Sequence, residues 1–68
     1  MPYETNDDLP AGVRRVLPEH AQDIYRAAFN SAWFAGYAQA DEATAHRIAW
    51  AAVKRSYRKV GDAWVPKR

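Results

Sequence analysis

The two histidines and the carboxylates beside them are the side chains of this 68-residue chain best suited to chemistry. Glu42 and His46 are four residues apart, which is about one helical turn, and Glu19, His20 and Asp23 fall within another turn. Zinc usually takes three or four such donors, and calcium takes several oxygens from a dedicated loop. Neighbouring donors on one helix therefore do not make a metal site, and we predict neither a metal nor another cofactor.

His20 and His46 are also candidates for pH sensing, because histidine is the side chain that titrates near neutral pH when unperturbed. Each is predicted to lie near the start of a helix, where a single hydrogen bond to a neighbouring turn is the more common role. The positive end of a helix also disfavours protonation of the ring. A structural role is therefore favoured, and pH sensing stays open as the alternative.

The candidate nucleophiles of the chain do not indicate catalysis. Ser31 and Ser56 have no glycine-rich elbow or oxyanion loop beside them, and the chain contains no cysteine. The lack of cysteine also excludes a disulfide framework and favours a reducing compartment, so we predict a cytoplasmic protein. The sequence predicts a protein that acts by binding and is not an enzyme.

A basic stripe is the most prominent candidate binding surface. Arg47, Lys54 and Arg58 are spaced i, i+7 and i+11, which places them on one face of a helix, and Trp50 and Tyr57 lie alongside. The net charge is only +2, yet seven of the ten lysines and arginines follow residue 46. Cations beside aromatic rings are typical of surfaces that bind phosphates and stack bases, so nucleic acid is one predicted partner. The alternative is an ordinary solvated face, since cations are favoured near a helix C-terminus.

An acidic surface is predicted in the N-terminal half. Asp7, Asp8, Glu19 and Asp23 lie in or near the first turns of two predicted helices, where the helix dipole favours negative charge. The dipole is a sufficient reason for them, and a basic segment of a protein partner is the functional alternative. Phe34 falls on the polar side of the central helix, where charge is expected, and is predicted to be a surface contact.

Three predicted helices position these residues. A short helix over residues 9–17 is predicted to be capped by Asp8, with Asp7 as the second choice. Pro18 is predicted to close it, since proline lacks the N–H that a continuing helix needs. A central helix is predicted from Glu19 to about Ala38. A third helix, capped by Asp41 or Thr44, is predicted to run to about Lys59 before Gly61 stops it.

The two longer helices are predicted to pack closely as antiparallel neighbours, because alanines occupy their facing stripes and the connection is short. These alanines are at positions 21, 28, 32 and 35 of one helix and 45, 49 and 52 of the other. The longest stretch without strongly polar residues, Ala32–Ala38, is far shorter than the roughly 20 apolar residues that a helix needs to cross a bilayer.

The two ends of the chain have extended character. Pro2–Thr5 and Ala63–Pro66 are predicted to meet as a two-stranded pairing that buries Tyr3 against Trp64. The predicted fold class is therefore mostly α: a single domain over residues 1–68 with one short helix, two longer antiparallel helices and a short two-stranded pairing of the N- and C-termini. We expect a monomer.

Several blocks of the sequence together resemble the ChaB-like family of small bacterial proteins. These blocks are Pro2-Tyr3, Asp8-Leu9-Pro10, Val16-Leu17-Pro18, His20-Ala21-Gln22, Ile24-Tyr25, Phe29-Asn30, Ala32-Trp33, Thr44-Ala45-His46, residues 49–54 and Trp64. They span nearly the whole chain, so their combination is far more specific than any one block.

The resemblance implies a compact, mostly helical fold with a small strand element. It also implies a regulator of a cation/proton antiporter in the cytoplasmic membrane, and hence a protein partner. Some members of the family resemble nucleic-acid-associated proteins, which keeps nucleic acid as the alternative partner. The loop over residues 38–42 departs from the longer members, where it is longer and heavily charged.

Overall fold

The computed structural model describes residues 3–36 and 42–67, which form three α-helices followed by a β-hairpin. A 3-10 turn over Asn6–Asp8 precedes α1 (Ala11–Val16), α2 (Glu19–Phe34), α3 (Glu42–Ser56), β1 (Tyr57–Val60) and β2 (Ala63–Pro66). His20 lies beside Tyr57 and Phe29 lies beside His46, so α2 and α3 run antiparallel. The predicted fold class, mostly α with three helices and a two-stranded sheet, is confirmed.

The core lies between α2 and α3 and is closed at one side by α1. Its buried residues are Leu9, Val13, Leu17, Ala21, Tyr25, Phe29, Ala32, Ala45, Ala49, Val53 and Tyr57. Four of the predicted facing alanines are among them, while Ala28 and Ala52 are half-buried and Ala35 is exposed. Small side chains at the contact let the helices approach closely, and the aromatic rings fill the space beside them.

The first helix begins later than predicted, and Asp8 does not cap it. Pro10 occupies the cap position of α1 and makes no side-chain hydrogen bond there. Asp8 instead accepts hydrogen bonds from the backbone N–H and the hydroxyl of Thr5, at 3.2 and 3.3 Å. The predicted cap was therefore wrong, because this carboxylate closes the 3-10 turn that precedes the helix.

The central helix ends at Phe34, four residues before the predicted end at about Ala38, a residue that lies outside the described ranges. Gly36 adopts φ 89°, a left-handed conformation that glycine takes without strain, and its N–H donates to the carbonyl of Trp33. This arrangement terminates helices because the chain can no longer continue the regular hydrogen-bond pattern.

The third helix differs from the prediction at both ends. Glu42 is already helical, so Thr44 lies inside the first turn and is not the cap, while Asp41 lies outside the described residues. The helix ends at Ser56 and not at about Lys59, because the chain then becomes extended in β1. Arg58 and Lys59 consequently follow the period of a strand and not that of a helix.

The two-stranded sheet is a C-terminal hairpin and not a pairing of the two chain ends, so the predicted strand partner was wrong. β1 and β2 are antiparallel across the turn Gly61-Asp62, with Lys59 opposite Trp64. Gly61 adopts φ 61°, which two-residue hairpin turns favour. The turn thus makes Ala63–Pro66 pair with the residues just before it.

The N-terminal segment lies against α2 and not against β2. The backbone N–H of Tyr3 donates to Oδ1 of Asn30 at 2.8 Å, and Nδ2 of Asn30 donates to the carbonyl of Tyr3 at 2.7 Å. The ring of Tyr3 packs on Phe29 at a centroid distance of 4.7 Å. The predicted contact between Tyr3 and Trp64 was therefore wrong, and Pro2 lies outside the described residues.

Candidate functional site

An open cleft lies where α1, α3 and the hairpin meet, with a volume of about 760 Å³. We call it the cationic cleft. Its lining combines cations, aromatic rings, one aliphatic side chain and one carboxylate: Arg15, Lys54, Lys59, Trp50, Trp64, Val16 and Asp62. A volume of several hundred cubic ångströms is in the usual range for binding sites of small ligands or side chains.

Two tryptophans form the aromatic wall of the cleft. The rings of Trp50 and Trp64 lie 5.5 Å apart between centroids at an interplanar angle of 33°. The buried ring of Tyr25 meets Trp50 from behind, edge-on at 78° and 5.2 Å. Both tryptophans are half-buried, so part of each ring is open to solvent. Packing on Tyr25 from behind holds the wall in place before anything binds.

The three cations of the cleft come from three different elements. Arg15 lies in the last turn of α1, Lys54 in the last turn of α3, and Lys59 in β1. All three are exposed, and among residues 3–36 and 42–67 no side chain forms a hydrogen bond or ion pair with them. Asp62, in the hairpin turn, is the one carboxylate in the described lining. The cleft therefore has a net positive charge that is not satisfied internally.

The predicted basic stripe does not form a single helix face. Arg47 and Lys54 lie two turns apart on α3, but Arg58 lies in β1, where alternation points it away from the face that carries Lys59. Arg47 also donates to the hydroxyl of Thr44 at 3.3 Å. Of the three predicted cations, Lys54 alone lines the cationic cleft. The prediction failed because it extended the helical period past Ser56.

Arg15 is the cation of the cleft that no sequence pattern indicated. It lies on a different helix, far from Lys54 and Lys59 along the chain, so spacing gave no signal for it. A period-two reading of residues 57–64 would have placed Lys59 and Trp64 on one face of a hairpin. The contribution of α1 depends on tertiary packing, which no local pattern reports.

The predicted acidic surface is partly committed to internal contacts. Besides the Asp8 interaction with Thr5, Asp23 accepts a hydrogen bond from Nδ2 of Asn6 at 2.7 Å and lies 3.7 Å from Arg26. Asp7 and Glu19 are exposed, and no hydrogen bond or ion pair of their side chains is present within the described residues. The structure thus leaves two of the four predicted carboxylates available to a partner.

Phe34 is 77% exposed at the C-terminal end of α2, so the prediction that it lies on the surface is confirmed. A shallow, mostly apolar depression lies between α2 and α3 and is lined by Ala28, Ser31, Ala32, Ala35 and Ile48, without Phe34. A contact role for Phe34 stays a prediction.

His46 links the buried Tyr25 to the exposed Glu42. The hydroxyl of Tyr25 lies 2.5 Å from Nδ1 of His46, and Nε2 of His46 lies 3.5 Å from Oε1 of Glu42. The contact with Tyr25 joins α3 to α2 and is not the hydrogen bond to a neighbouring turn that was predicted, whereas pH sensing stays the untested alternative. Within the described ranges, no three His, Cys, Asp or Glu side chains are grouped so as to hold a metal ion.

Stability should fall between about pH 10 and 12 because of Tyr25. Burial, with a smaller contribution from Tyr3, raises the pKa of Tyr25 to about 12. Burial and the charge of Glu42 raise the pKa of Tyr3 in the same direction. As the pH rises through this window, the unfolded phenols lose their protons before the folded ones do, so the unfolded state is favoured. Below about pH 10 the phenols keep their protons in both the folded and the unfolded state, so this loss of stability does not occur.

Urea unfolding followed by circular dichroism at several pH values from 9 to 12 would measure this loss. Tyr25→Phe is the matched control, because it keeps the ring and removes the titrating group. The variant should lose less stability than the parent across the same window. Equal losses for the two proteins would contradict the assignment to Tyr25.

Among the described helices, none has both the length and the apolar content needed to cross a membrane.

Comparisons with known proteins point to one family. The sequence profile of the ChaB family matches residues 9–67. A protein of Escherichia coli strain K12, described as "Putative cation transport regulator ChaB", is 54% identical over 69 aligned positions, which cover 91% of each chain. The Shigella flexneri protein of the same description has the same identity and coverage. A solved structure described as "NMR solution structure of the putative cation transport regulator ChaB" has 50% identity and a TM-score of 0.85, and covers 98% of this chain and 100% of that one.

Proposed function

This chain belongs to the ChaB family, and we propose that it is a non-enzymatic regulator of a cation/proton antiporter in the cytoplasmic membrane. The support is that relatives 54% identical over 91% of both chains carry the description of a cation transport regulator. We propose that the protein acts from the cytoplasm, as a monomer, by contact with a cytoplasmic segment of the transporter.

The observation that carries a binding role is the cationic cleft. Three cations that have no hydrogen-bond or ion-pair partner among the described residues lie beside two half-buried tryptophans on one side of the domain. Such a surface attracts an anionic partner from a distance and offers it apolar area on contact.

The acidic surface is the weaker candidate for the main contact. Asp8 and Asp23 are engaged by Thr5, Asn6 and Arg26, whereas Asp7 and Glu19 have no hydrogen-bond or ion-pair partner in the part of the chain that the structure describes. We propose it, together with Phe34, as a secondary contact that a basic segment of the same partner would use.

Cation/proton exchange in everted membrane vesicles would test this function. Vesicles prepared from cells lacking the chain would be energised, and the proton gradient followed with a fluorescent dye while cations are added. Purified protein should change the exchange rate in a saturable manner, because a regulator that binds the antiporter alters its turnover at constant antiporter content. An exchange rate that is the same with and without the protein, for each cation tested, would contradict the proposed function.

Nucleic-acid binding is the second candidate, and the observation that favours it is the position of Trp50 and Trp64 beside Lys54 and Lys59. Single-stranded nucleic acids bind by stacking bases on aromatic rings and placing phosphates near cations. Fluorescence anisotropy with a labelled thymidine oligonucleotide would test it. Binding should appear at about 50 mM salt and weaken steeply as salt rises, whereas no binding at about 50 mM would rule this candidate out.

A further inference from the structure

We propose that the cationic cleft recognises an acidic peptide segment in which one large apolar side chain, preferably aromatic, is flanked by carboxylates. The inference rests on the proposed function only in taking the partner to be a protein. Beyond that function, it specifies the chemistry of the bound segment and the residues that bind it.

The apolar part of the segment would pack on the tryptophan wall. Trp50 and Trp64 are inclined at 33° with their centroids 5.5 Å apart, and Val16 of α1 adds aliphatic surface to the same cleft. Since Tyr25 supports Trp50 from behind, an inserted ring would meet a surface that is already ordered. A preformed wall reduces the ordering that binding requires and favours a side chain with large, rigid area.

The charged part of the segment would pair with the cations beside that wall. Lys54 follows Trp50 by one helical turn, and Lys59 is directly opposite Trp64 across the hairpin. Each indole therefore has its own ammonium group nearby, and Arg15 adds a third cation from α1. A segment with carboxylates before and after its apolar side chain matches this alternation of cation and ring.

The same observations favour a peptide over a nucleic acid. Nucleic-acid affinity comes from many phosphate contacts along an extended basic track. Here three cations converge on one cleft, while Arg47 and Arg58 lie off it. Asp62 also lines the cleft and would repel a phosphate backbone passing the hairpin turn. A short segment has few charges to place and can direct them to the three cations, whereas a continuous polyanion also brings charge close to this carboxylate.

Three synthetic peptides test the proposal: Ac-EEFEE-NH2, Ac-EEAEE-NH2 and Ac-KKFKK-NH2. Binding would be measured by calorimetry with the full chain at low salt, and by tryptophan fluorescence in a Trp33→Phe background. We expect the first peptide to bind at least about tenfold more tightly than the second, and the third not to bind. The double variant Lys54→Glu, Lys59→Glu should weaken the first peptide by more than about tenfold.

The matched control is Arg47→Glu, Arg58→Glu, which makes the same change of net charge outside the cleft. It should leave affinity for the first peptide within about threefold of the parent. Melting temperatures of both double variants would establish that they remain folded. Equal binding of the first two peptides, equal effects of the two double variants, or tighter binding of a thymidine oligonucleotide in the cleft would each overturn the proposal.

The outcome is separable from that of the proposed function. If the protein binds the first peptide selectively but does not change cation exchange in vesicles, the proposed specificity of the cleft stands and the transport role is contradicted. An effect on vesicle exchange without peptide binding would keep the transport role and overturn the inference about the cleft.

Discussion

Phe29→Ala should strongly destabilise the protein, because Phe29 lies at the centre of a small core. Its side chain is 0% exposed, and its ring packs on Tyr3 and His46 at centroid distances of 4.7 Å. Removing a buried phenylalanine ring typically costs about 3–5 kcal/mol. A domain of this length is expected to have a total stability of only about 3–10 kcal/mol, so the loss takes much or all of it.

Phe34→Ala is the matched control, since it removes the same ring from the same helix at a position that is 77% exposed. Its stability should change by no more than about 0.5 kcal/mol. Thermal and urea unfolding followed by circular dichroism would compare the two variants with the parent. Similar losses for both variants would show that Phe29 is not part of the core described above.

The double variant Lys54→Glu, Lys59→Glu should greatly weaken regulation of cation exchange while the protein stays folded. Both ammonium groups are exposed, and within the described residues neither has a side-chain partner, so their removal breaks no hydrogen bond or ion pair there. For an acidic partner, reversal replaces two attractions with two repulsions beside the tryptophan wall. We expect the amount of protein needed for half-maximal effect in the vesicle assay to rise on the order of 10- to 100-fold.

The variant Arg47→Glu, Arg58→Glu separates a local effect from a general effect of charge. It alters net charge equally, but Arg47 and Arg58 do not line the cationic cleft. It should retain regulation at close to the parent's concentration. If both double variants lost regulation to the same extent, the partner would respond to the net charge of the protein, and the cleft would not be the binding surface.

The helical part of the fold could be predicted from the sequence because its packing follows a local period. Ala21, Ala32, Ala45 and Ala49 were placed on facing stripes by the period of 3.6 residues, and all four are buried. Small residues at regular spacing leave few other ways to bury two helices of this length. The family resemblance pointed to the same fold independently.

The hairpin was not predicted, for a physical reason that concerns Tyr57–Val60. Val60 extends the apolar stripe of α3 and Arg58 extends its basic stripe, so these residues satisfy a helical period as well as a strand period. What decides between the two is the Gly61 turn and the packing of Trp64 on Trp50. The turn is a local signal that was interpreted only as the end of a helix, whereas the tryptophan packing is tertiary and no local pattern reports it.

The candidate site was only partly predictable because its members come from three elements. Lys54 was identified from helical spacing, and Trp50 was recognised beside it, but Arg15 joins them only after α1 packs near α3. The carboxylates of Asp8 and Asp23 were predicted to face a partner, yet both are held by polar side chains of this chain. Spacing identifies residues on one face and does not report such pairing.

An NMR titration of the full, isotopically labelled chain with Ac-EEFEE-NH2 tests most directly whether the cationic cleft is the binding surface. We expect the indole N–H signals of Trp50 and Trp64 and the amide signal of Lys59 to shift with one common affinity. The indole signal of Trp33 and the amide signal of Glu19 should stay in place. Shifts centred on the acidic surface or on Phe34, or none at the cleft, would contradict it.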